Sequence, residues 1–388
     1  MNRNDFPIFK NQPSLVYLDS ANTTLKPQNV INAVQNYYEN YSANIGRTTY
    51  DISEHATAAF NDARTKVARF IGAQPSEIIF SHSATHAINQ AAFGIMHLLQ
   101  PGDKILLTEF EHNSNVVAWQ QVAKRTGAKI VWIDDNPNLS DVKIFTYSLV
   151  SNITGELFDY RSIVKNVHTQ GGLVLVDATQ AISRLPINVD QLGCDLLAFS
   201  SHKMYGPSGV GVLYARQETM GRLQPLVYGS QTFVSISRAS TELLENYAKF
   251  EPGTPNIEGV IGLGAAIEYL NQVGMAKIQQ HDEQLTTYAL KTLQNAALNT
   301  TTRSSHIKKQ VGVLPLPHPT IHPHDFAMLL NEANIAVRAG KACSDILMQK
   351  LELERGVVRI SFGVYTTETD IDKFAAEYQE IIARFTNG

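Results

Sequence analysis

From about residue 77 the chain alternates short apolar runs with stretches whose apolar residues recur at helical spacing. Ile78–Phe80, Lys104–Thr108, Lys129–Ile133, Val142–Val150, Leu173–Val176, Leu196–Phe199 and Val210–Ala215 read as seven strands. Several are continuously apolar, as strands covered on both faces are. Between them Thr85–Leu99, Asn115–Thr126 and Asp159–Thr169 read as helices, and Gln28–Tyr41 and Ser53–Phe70 do so upstream. Strands alternating with helices predict an α/β layer: a mostly parallel, seven-stranded sheet with helices on both faces.

After about residue 216 the pattern breaks. Leu226–Tyr247 is polar and irregular, an excursion over a site or into a partner subunit. Glu251–Asn256 (EPGTPN) is a rigid turn. A long helix follows, Ile257–Val273 continuing through Lys277–Leu298. The remainder predicts a smaller α+β unit. Its strands are Lys308–Leu316, Ala336–Arg338 and Val357–Ser361, its helices Asp325–Ala333 and Thr367–Phe385, with the loop AGKACSD between. The expected division is a large domain over 15–260 and a small α+β domain from 1–14 and 261–388.

The polar residues at the strand ends carry the candidate chemistry. Leu173–Lys203 reads LVLVDATQAISRLPINVDQLGCDLLAFSSHK. Asp177 and Gln180 follow its first strand; Ser200, His202 and Lys203 follow its second. Ligands of a parallel sheet sit outside the carboxyl ends of its strands, so these groups converge on one crevice. A lysine or aspartate alone there is ordinary in an α/β core; the whole set is not. It fits pyridoxal phosphate, which needs a lysine amine and a carboxylate to keep its ring nitrogen protonated. Ser200 and His202 could donate to its phosphate. SHSAT opens the helix after the first strand, either as caps or as a phosphate site on free N–H groups. His112 follows the second strand, as a hydrogen-bonded loop residue or as a ring lying over a planar cofactor and moving protons. Asn152 ends the fourth. Arg47, in the loop SANIGRTTYDIS, is a solvated charge or a group at the site's mouth.

Composition narrows this further. The 388 residues include 44% hydrophobic ones, enough for a sizeable core, and a formal net charge of −4 argues for neither nucleic acid nor an anionic membrane as partner. No window approaches the roughly 18 apolar residues of a membrane span. The start, MNRNDFPIFKNQPSL, lacks the apolar core of a signal peptide. With only Cys194 and Cys343, two free thiols in a cytoplasmic protein are expected. No Cys/His spacing predicts a metal site.

With SSHKMYGPSGVG in view, the chain resembles the class V aminotransferase group of pyridoxal-phosphate enzymes, and within it the cysteine desulfurases of the SufS/CsdA type. YLDSANTTLKP, EHNSNVVAWQ, SLVSNITGE, LVDATQA, CDLLAFSSHKMYGPSGVG, EPGTPN, VRAGKACSD and VVRISFGVYTT carry the resemblance, end to end and in family order. It implies the fold type I of pyridoxal-phosphate-dependent transferases. Lys203 would hold the cofactor, Asp177 would pair with its pyridine nitrogen, Gln180 with its phenolic oxygen, and His112 would stack on its ring. The main chain of Ala84, with Thr85, Ser200 and His202, would bind its phosphate. Thr254 would reach the phosphate of a neighbouring subunit, which implies a homodimer with shared sites. Asn152 and Arg359 would hold the substrate carboxylate, a task suited to a guanidinium fork, with Arg338 on the same side. Cys343 matches the sulfur-accepting cysteine.

Two loops depart from the family pattern. Gly46-Arg47 stands where His-Arg is usual, and Lys341-Ala342 stands where histidine is common. The short spacing from Cys343 to Arg359 matches the SufS/CsdA subgroup. The reaction implied is sulfur removal from L-cysteine, giving L-alanine and a Cys343 persulfide for a small acceptor protein, in iron–sulfur cluster assembly or another sulfur supply. Lys341 and Arg338 would favour the thiolate, or are solvated loop charges. Cys194 is expected to be inert packing. The alternatives are a lyase acting on L-selenocysteine or cysteine sulfinate, for which Cys343 is dispensable, a class V transaminase, which needs no thiol, and a non-enzymatic sulfur-relay scaffold, which requires a broken cofactor site.

Overall fold

The computed structural model describes residues 2–46, 49–133, 138–295 and 307–386. Arg47 and the last residues of the long predicted helix lie outside them.

All seven predicted strands join one sheet. They are β1 (Ile78–Ser81), β2 (Lys104–Leu107), β3 (Lys129–Trp132), β4 (Val142–Ser148), β5 (Leu173–Asp177), β6 (Leu196–Ser200) and β7 (Gly211–Ala215). Their order is β1-β7-β6-β5-β4-β2-β3. The run from β6 to β3 is parallel. β7 is antiparallel to both β6 and β1, because the link from Ser200 to Gly211 is too short for a crossover helix.

The helices are α1 (Gln28–Asn40), α2 (Asp51–Ile71), α3 (Ala84–Gly94), α4 (Asn113–Thr126), α5 (Arg161–Thr169), α6 (Ile257–Val273) and α7 (Met275–Asn295). Alternation along each strand assigns them to faces. Val174, Val176, Leu197 and Phe199 share a core with Phe60 and Val67 of α2, Ile163 of α5 and Val260 of α6. Leu173, Leu175, Leu196 and Ala198 pack with Ile88 of α3 and Trp119 of α4. Every residue of β5 and β6 is buried, which explains their unbroken apolar sequence.

A second, antiparallel sheet has the order β8-β10-β9, from β8 (Val313–Leu316), β9 (Arg338–Gly340) and β10 (Val357–Ser361). It shares a core with α7, α8 (Pro323–Glu332) and α9 (Glu368–Thr386), built on Leu285, Phe326, Phe374 and Tyr378. The N-terminal segment reaches this unit, since Val16–Tyr17 pairs in parallel with Ile335–Ala336.

Several elements differ from the sequence expectation. The long helix breaks at Gly274, whose φ of 91° ends α6 before α7 begins. Thr85–Leu99 is helical only to Gly94, followed by a 3-10 turn at Met96–Leu98. Lys308–Leu316 is two strands: Ile307–Gln310 pairs with Glu156–Phe158, and β8 pairs with β10. Ala336–Arg338 likewise divides between two sheets. Within Leu226–Tyr247 a hairpin joins Phe233–Ile236 to Thr241–Leu243. Its side chains are mostly exposed, so no buried face imposes an alternation to read.

Candidate active site

The carboxyl ends of β1, β2, β4, β5 and β6 surround one cavity of about 200 Å³. Ala84 and Thr85 follow β1, His112 follows β2 and Asn152 follows β4. Asp177 and Gln180 come from β5, and Ser200, His202 and Lys203 from β6. The parallel topology thus gathers the predicted strand-end residues.

Lys203 ends a 3-10 turn, Ser201–Lys203. The peptide before it is fixed by four donors on the His202 carbonyl: Thr24 N and Thr24 Oγ1 at 3.0 Å, Lys26 Nζ at 3.1 Å and Thr23 Oγ1 at 3.2 Å. Burial, reinforced by the Arg359 charge, pushes the Lys203 amine down to about 8, while Asp177 and Cys343 act against that shift. A free amine, the nucleophilic form, is therefore accessible near neutral pH. Asp177 is buried at the end of β5 and accepts from Thr179 N at 2.9 Å. Gln180 Nε2 donates to the Ala21 carbonyl at 2.8 Å.

His112 caps α4, its Nδ1 accepting from Ser114 N at 3.1 Å. Burial and the Lys203 charge push it down to about 4, so the ring is neutral at pH 7 and its proton sits on Nε2. Beside it Glu111 is fully buried and accepts from Thr108 Oγ1 (2.5 Å), Asn115 Nδ2 (2.7 Å), Ser148 Oγ (2.8 Å) and Ser148 N (3.0 Å). Burial pushes this carboxyl up to about 7 against those four donors. It ties the ends of β2 and β4 to the first turn of α4 and so orients the His112 loop.

The N-terminus of α3 also borders the cavity, and its helix dipole favours an anion there. Ser83 Oγ accepts from His86 N at 3.2 Å, Ala84 N donates to Ser200 Oγ at 2.7 Å, and the Thr85 and Ser114 hydroxyls lie 2.8 Å apart. Burial pushes His202 down to about 4. A Cβ on Gly211 would lie 2.3 Å from the Ser83 carbonyl carbon, so only glycine lets this loop close onto β7.

Arg359 of β10 is 3% exposed and stands directly across the strand pair from Arg338 of β9. Its Nη1 donates to the Asn152 carbonyl at 2.9 Å and its Nη2 to Asp19 Oδ1 at 3.2 Å, while Nε is buried without a partner. Cys343 is exposed but not remote. Its carbonyl accepts from Asn113 N at 2.7 Å, and the preceding carbonyl, of Ala342, accepts from Asn152 Nδ2 at 2.9 Å. The thiol loop is thus pinned between the neighbour of His112 and Asn152. Lys341 faces Asp345 at 3.3 Å, so its charge is partly answered there. Cys194 is fully buried and its thiol is pushed well up by burial, in keeping with packing.

Thr254 does not line this cavity. It is exposed, accepts from Asn44 Nδ2 at 3.3 Å, and borders a separate groove with Val227, Phe250 and Pro252. Sequence reasoning missed Asn22, Ser114, Ser148 and Thr179, which line the cavity, and Asp19, which Asn22 Nδ2 reaches at 3.0 Å. The available signal was a cluster of polar residues directly after the apolar run Leu15–Leu18.

A mostly parallel sheet, covered on both faces and opening on a half-buried lysine, a buried carboxylate and a helix N-terminus, defines an α/β enzyme built around an amine. The chain belongs to the class V aminotransferase family, whose model matches residues 16–374. It is 38% identical over 388 residues to a probable cysteine desulfurase of Halalkalibacterium halodurans, covering 95% of this chain and 94% of the relative. A probable cysteine desulfurase of Streptomyces coelicolor is also 38% identical, over 393 residues, with 95% and 94% covered. Among solved structures, the apo cysteine desulfurase from Thermococcus onnurineus NA1 superposes with a TM-score of 0.93 at 34% identity, covering 98% of this chain and 97% of that one. The cysteine desulfurase CsdA (S-sulfonic acid) from Escherichia coli gives 0.88 at 32% identity, with 98% of both chains covered.

Proposed function

We propose that the protein is a pyridoxal-phosphate-dependent cysteine desulfurase, which takes sulfur from L-cysteine, releases L-alanine and carries the sulfur on Cys343. The observation that carries this reading is that Lys203, Asp177 and Asn152 line one cavity, and that Asn152 also bonds both the loop of Cys343 and Arg359, segments distant in sequence.

The residues present fit the cofactor. Hydroxyls and a helix N-terminus gather at one end of the cavity, a buried carboxylate and the lysine line the same space, and Thr179 Oγ1 is buried there without a partner. Ala84, Thr85, Ser200 and His202 would hold the phosphate, Asp177 the ring nitrogen, Gln180 the phenolic oxygen, and His112 one face of the ring. When bound, pyridoxal phosphate supplies an aldehyde that captures amines and a protonated ring that withdraws electrons from the substrate's α-carbon.

The chain's own groups do the rest. Arg359 and Asn152 fix the substrate carboxylate, with Arg338 adding positive charge. Lys203 Nζ holds the cofactor and, once freed, takes the proton from the substrate Cα. Neutral His112 can donate a hydrogen bond from Nε2–H without adding charge. Cys343 Sγ, as thiolate, attacks the substrate sulfur: an S–S bond forms, the Cβ–S bond breaks, and Cβ gains a proton to give alanine. A homodimer in which Thr254 serves the partner's phosphate is part of this reading. So are a small sulfur-acceptor protein and a role in iron–sulfur or other sulfur supply. Exposed Val227 in Thr254's groove, with exposed Tyr228, Val234 and Ile236 in the same excursion of the chain, supports a covered surface. Among the described residues no helix is long and apolar enough to cross a membrane.

The test is Cys343→Ser assayed on L-cysteine and L-selenocysteine side by side. Sulfide release from cysteine should be abolished. Retained release would favour a lyase that does not need the thiol.

A further inference from the structure

Asn152 belongs to two parts of the site at once. Its carbonyl accepts from Arg359 Nη1 at 2.9 Å. Its side chain spans Cys343: Nδ2 donates to the Ala342 carbonyl at 2.9 Å, and Oδ1 accepts from Ser344 Oγ at 2.9 Å. Ser344 and Asn152 are buried, while the cysteine between the two bonded residues is exposed.

On the other side the loop is held by Asn113. Its N–H donates to the Cys343 carbonyl, and its side-chain amide exchanges two hydrogen bonds with Asp345, at 2.8 and 3.1 Å. Gly340, just before this loop, and Ala342 and Cys343 within it have φ values of 96°, 46° and 59°. Alanine and cysteine adopt that left-handed region reluctantly, so the conformation persists only while its surroundings enforce it.

We propose that Asn152 and Ser344 form a strap that positions Cys343, and that a carboxylate bound at Asn152 and Arg359 loosens it, so that substrate binding itself mobilises the thiol. This rests on the reading of those two residues as the carboxylate site. The Asn152 amide has two N–H groups and gives one to the Ala342 carbonyl; a carboxylate at Arg359 turns the amide toward itself, because its charge-assisted hydrogen bond is the stronger of the two. It also draws on the guanidinium that the Asn152 carbonyl holds. With Ala342 released, the left-handed pair relaxes about the Asn113 anchor, and Cys343 gains freedom to move toward the substrate sulfur. Ser344, which no cofactor or substrate role engages, is thereby a positioning residue for the thiol.

Because Cys194 is fully buried and Cys343 is exposed, alkylation of the native holoenzyme by iodoacetamide reports on Cys343. The rate is measured alone, with saturating L-alanine, and with L-alaninamide, which lacks the carboxylate; visible absorbance shows whether each has bound. L-Alanine should raise the rate roughly fivefold, the worth of about one net hydrogen bond, and L-alaninamide should leave it unchanged. Ser344→Ala should alkylate faster without ligand and gain less from L-alanine. An absorbance change with L-alanine but an unchanged or slower alkylation overturns the strap and leaves the proposed activity standing. If neither absorbance nor rate responds, the carboxylate-site reading falls and the strap with it. Equal acceleration by the amide also overturns it. The native comparison decides the matter even if Ser344→Ala does not fold.

Discussion

At the scale of single residues the site is governed by burial acting on charge. His112 and His202 are both held at about 4, against an ordinary 6.5, chiefly by desolvation. The unfolded chain therefore binds more protons than the folded one between those values, and stability contributed by the neutral rings is complete above pH 6.5 and lost as the pH falls through 4. The unfolding midpoint of the cofactor-free protein should drop over that window, and drop less in His112→Gln; an equal drop in the variant would assign the effect to other groups. Lys203, Asp177 and Gln180 were legible in the sequence because a parallel sheet delivers strand-end residues to one side. The proposed role of Cys343 rests on the family resemblance alone, since no local spacing relates a loop thiol to strand ends so distant in the chain. The Asn152–Ser344 bond and the Asn22–Asp19–Arg359 chain were not legible at all, being contacts between segments that no periodicity relates.

At the scale of elements, the strands of the large sheet were readable because burial gives them short apolar runs, unbroken in the fully buried β5 and β6 and weaker in the half-buried edge strand β3. The elements misread are those that burial does not mark: the exposed hairpin at Phe233–Leu243, and strands that end when the chain changes sheets. The loop from β1 into α3 depends on the bare backbone of Gly211 at the start of β7. Gly211→Ala should cost about 1–3 kcal/mol, as overpacking does, and should weaken cofactor retention as Ser83 and Ala84 are displaced. Denaturant unfolding and the rate of cofactor loss on dilution measure the two effects. A variant that unfolds earlier yet holds the cofactor normally would show that the α3 N-terminus is not the phosphate end.

For the molecule as a whole, the proposed site draws on both the large sheet and the C-terminal unit: Lys203 comes from the first, while Arg359 and Cys343, tied to the cavity through Asn152, come from the second. One buried ion pair helps to join them. Arg184, just after β5, bonds Asp282 of α7 and donates to the Phe362 carbonyl at 2.8 Å, while the other Asp282 oxygen accepts from Gly312 N at 2.8 Å. Removing one partner leaves an uncompensated buried charge, so Asp282→Ala should destabilise by about 3–5 kcal/mol in calorimetric or denaturant unfolding; a loss under 1 kcal/mol would mean the pair is solvated in solution. The joint matters because the proposed chemistry needs amine and thiol on one substrate. The most direct measurement of that claim is the intact mass of the purified holoenzyme after brief exposure to L-cysteine, followed by peptide mapping. The expected result is one added sulfur on Cys343, removed by reductant and absent in Lys203→Ala; a native chain that makes alanine with no sulfur on Cys343 would contradict the account.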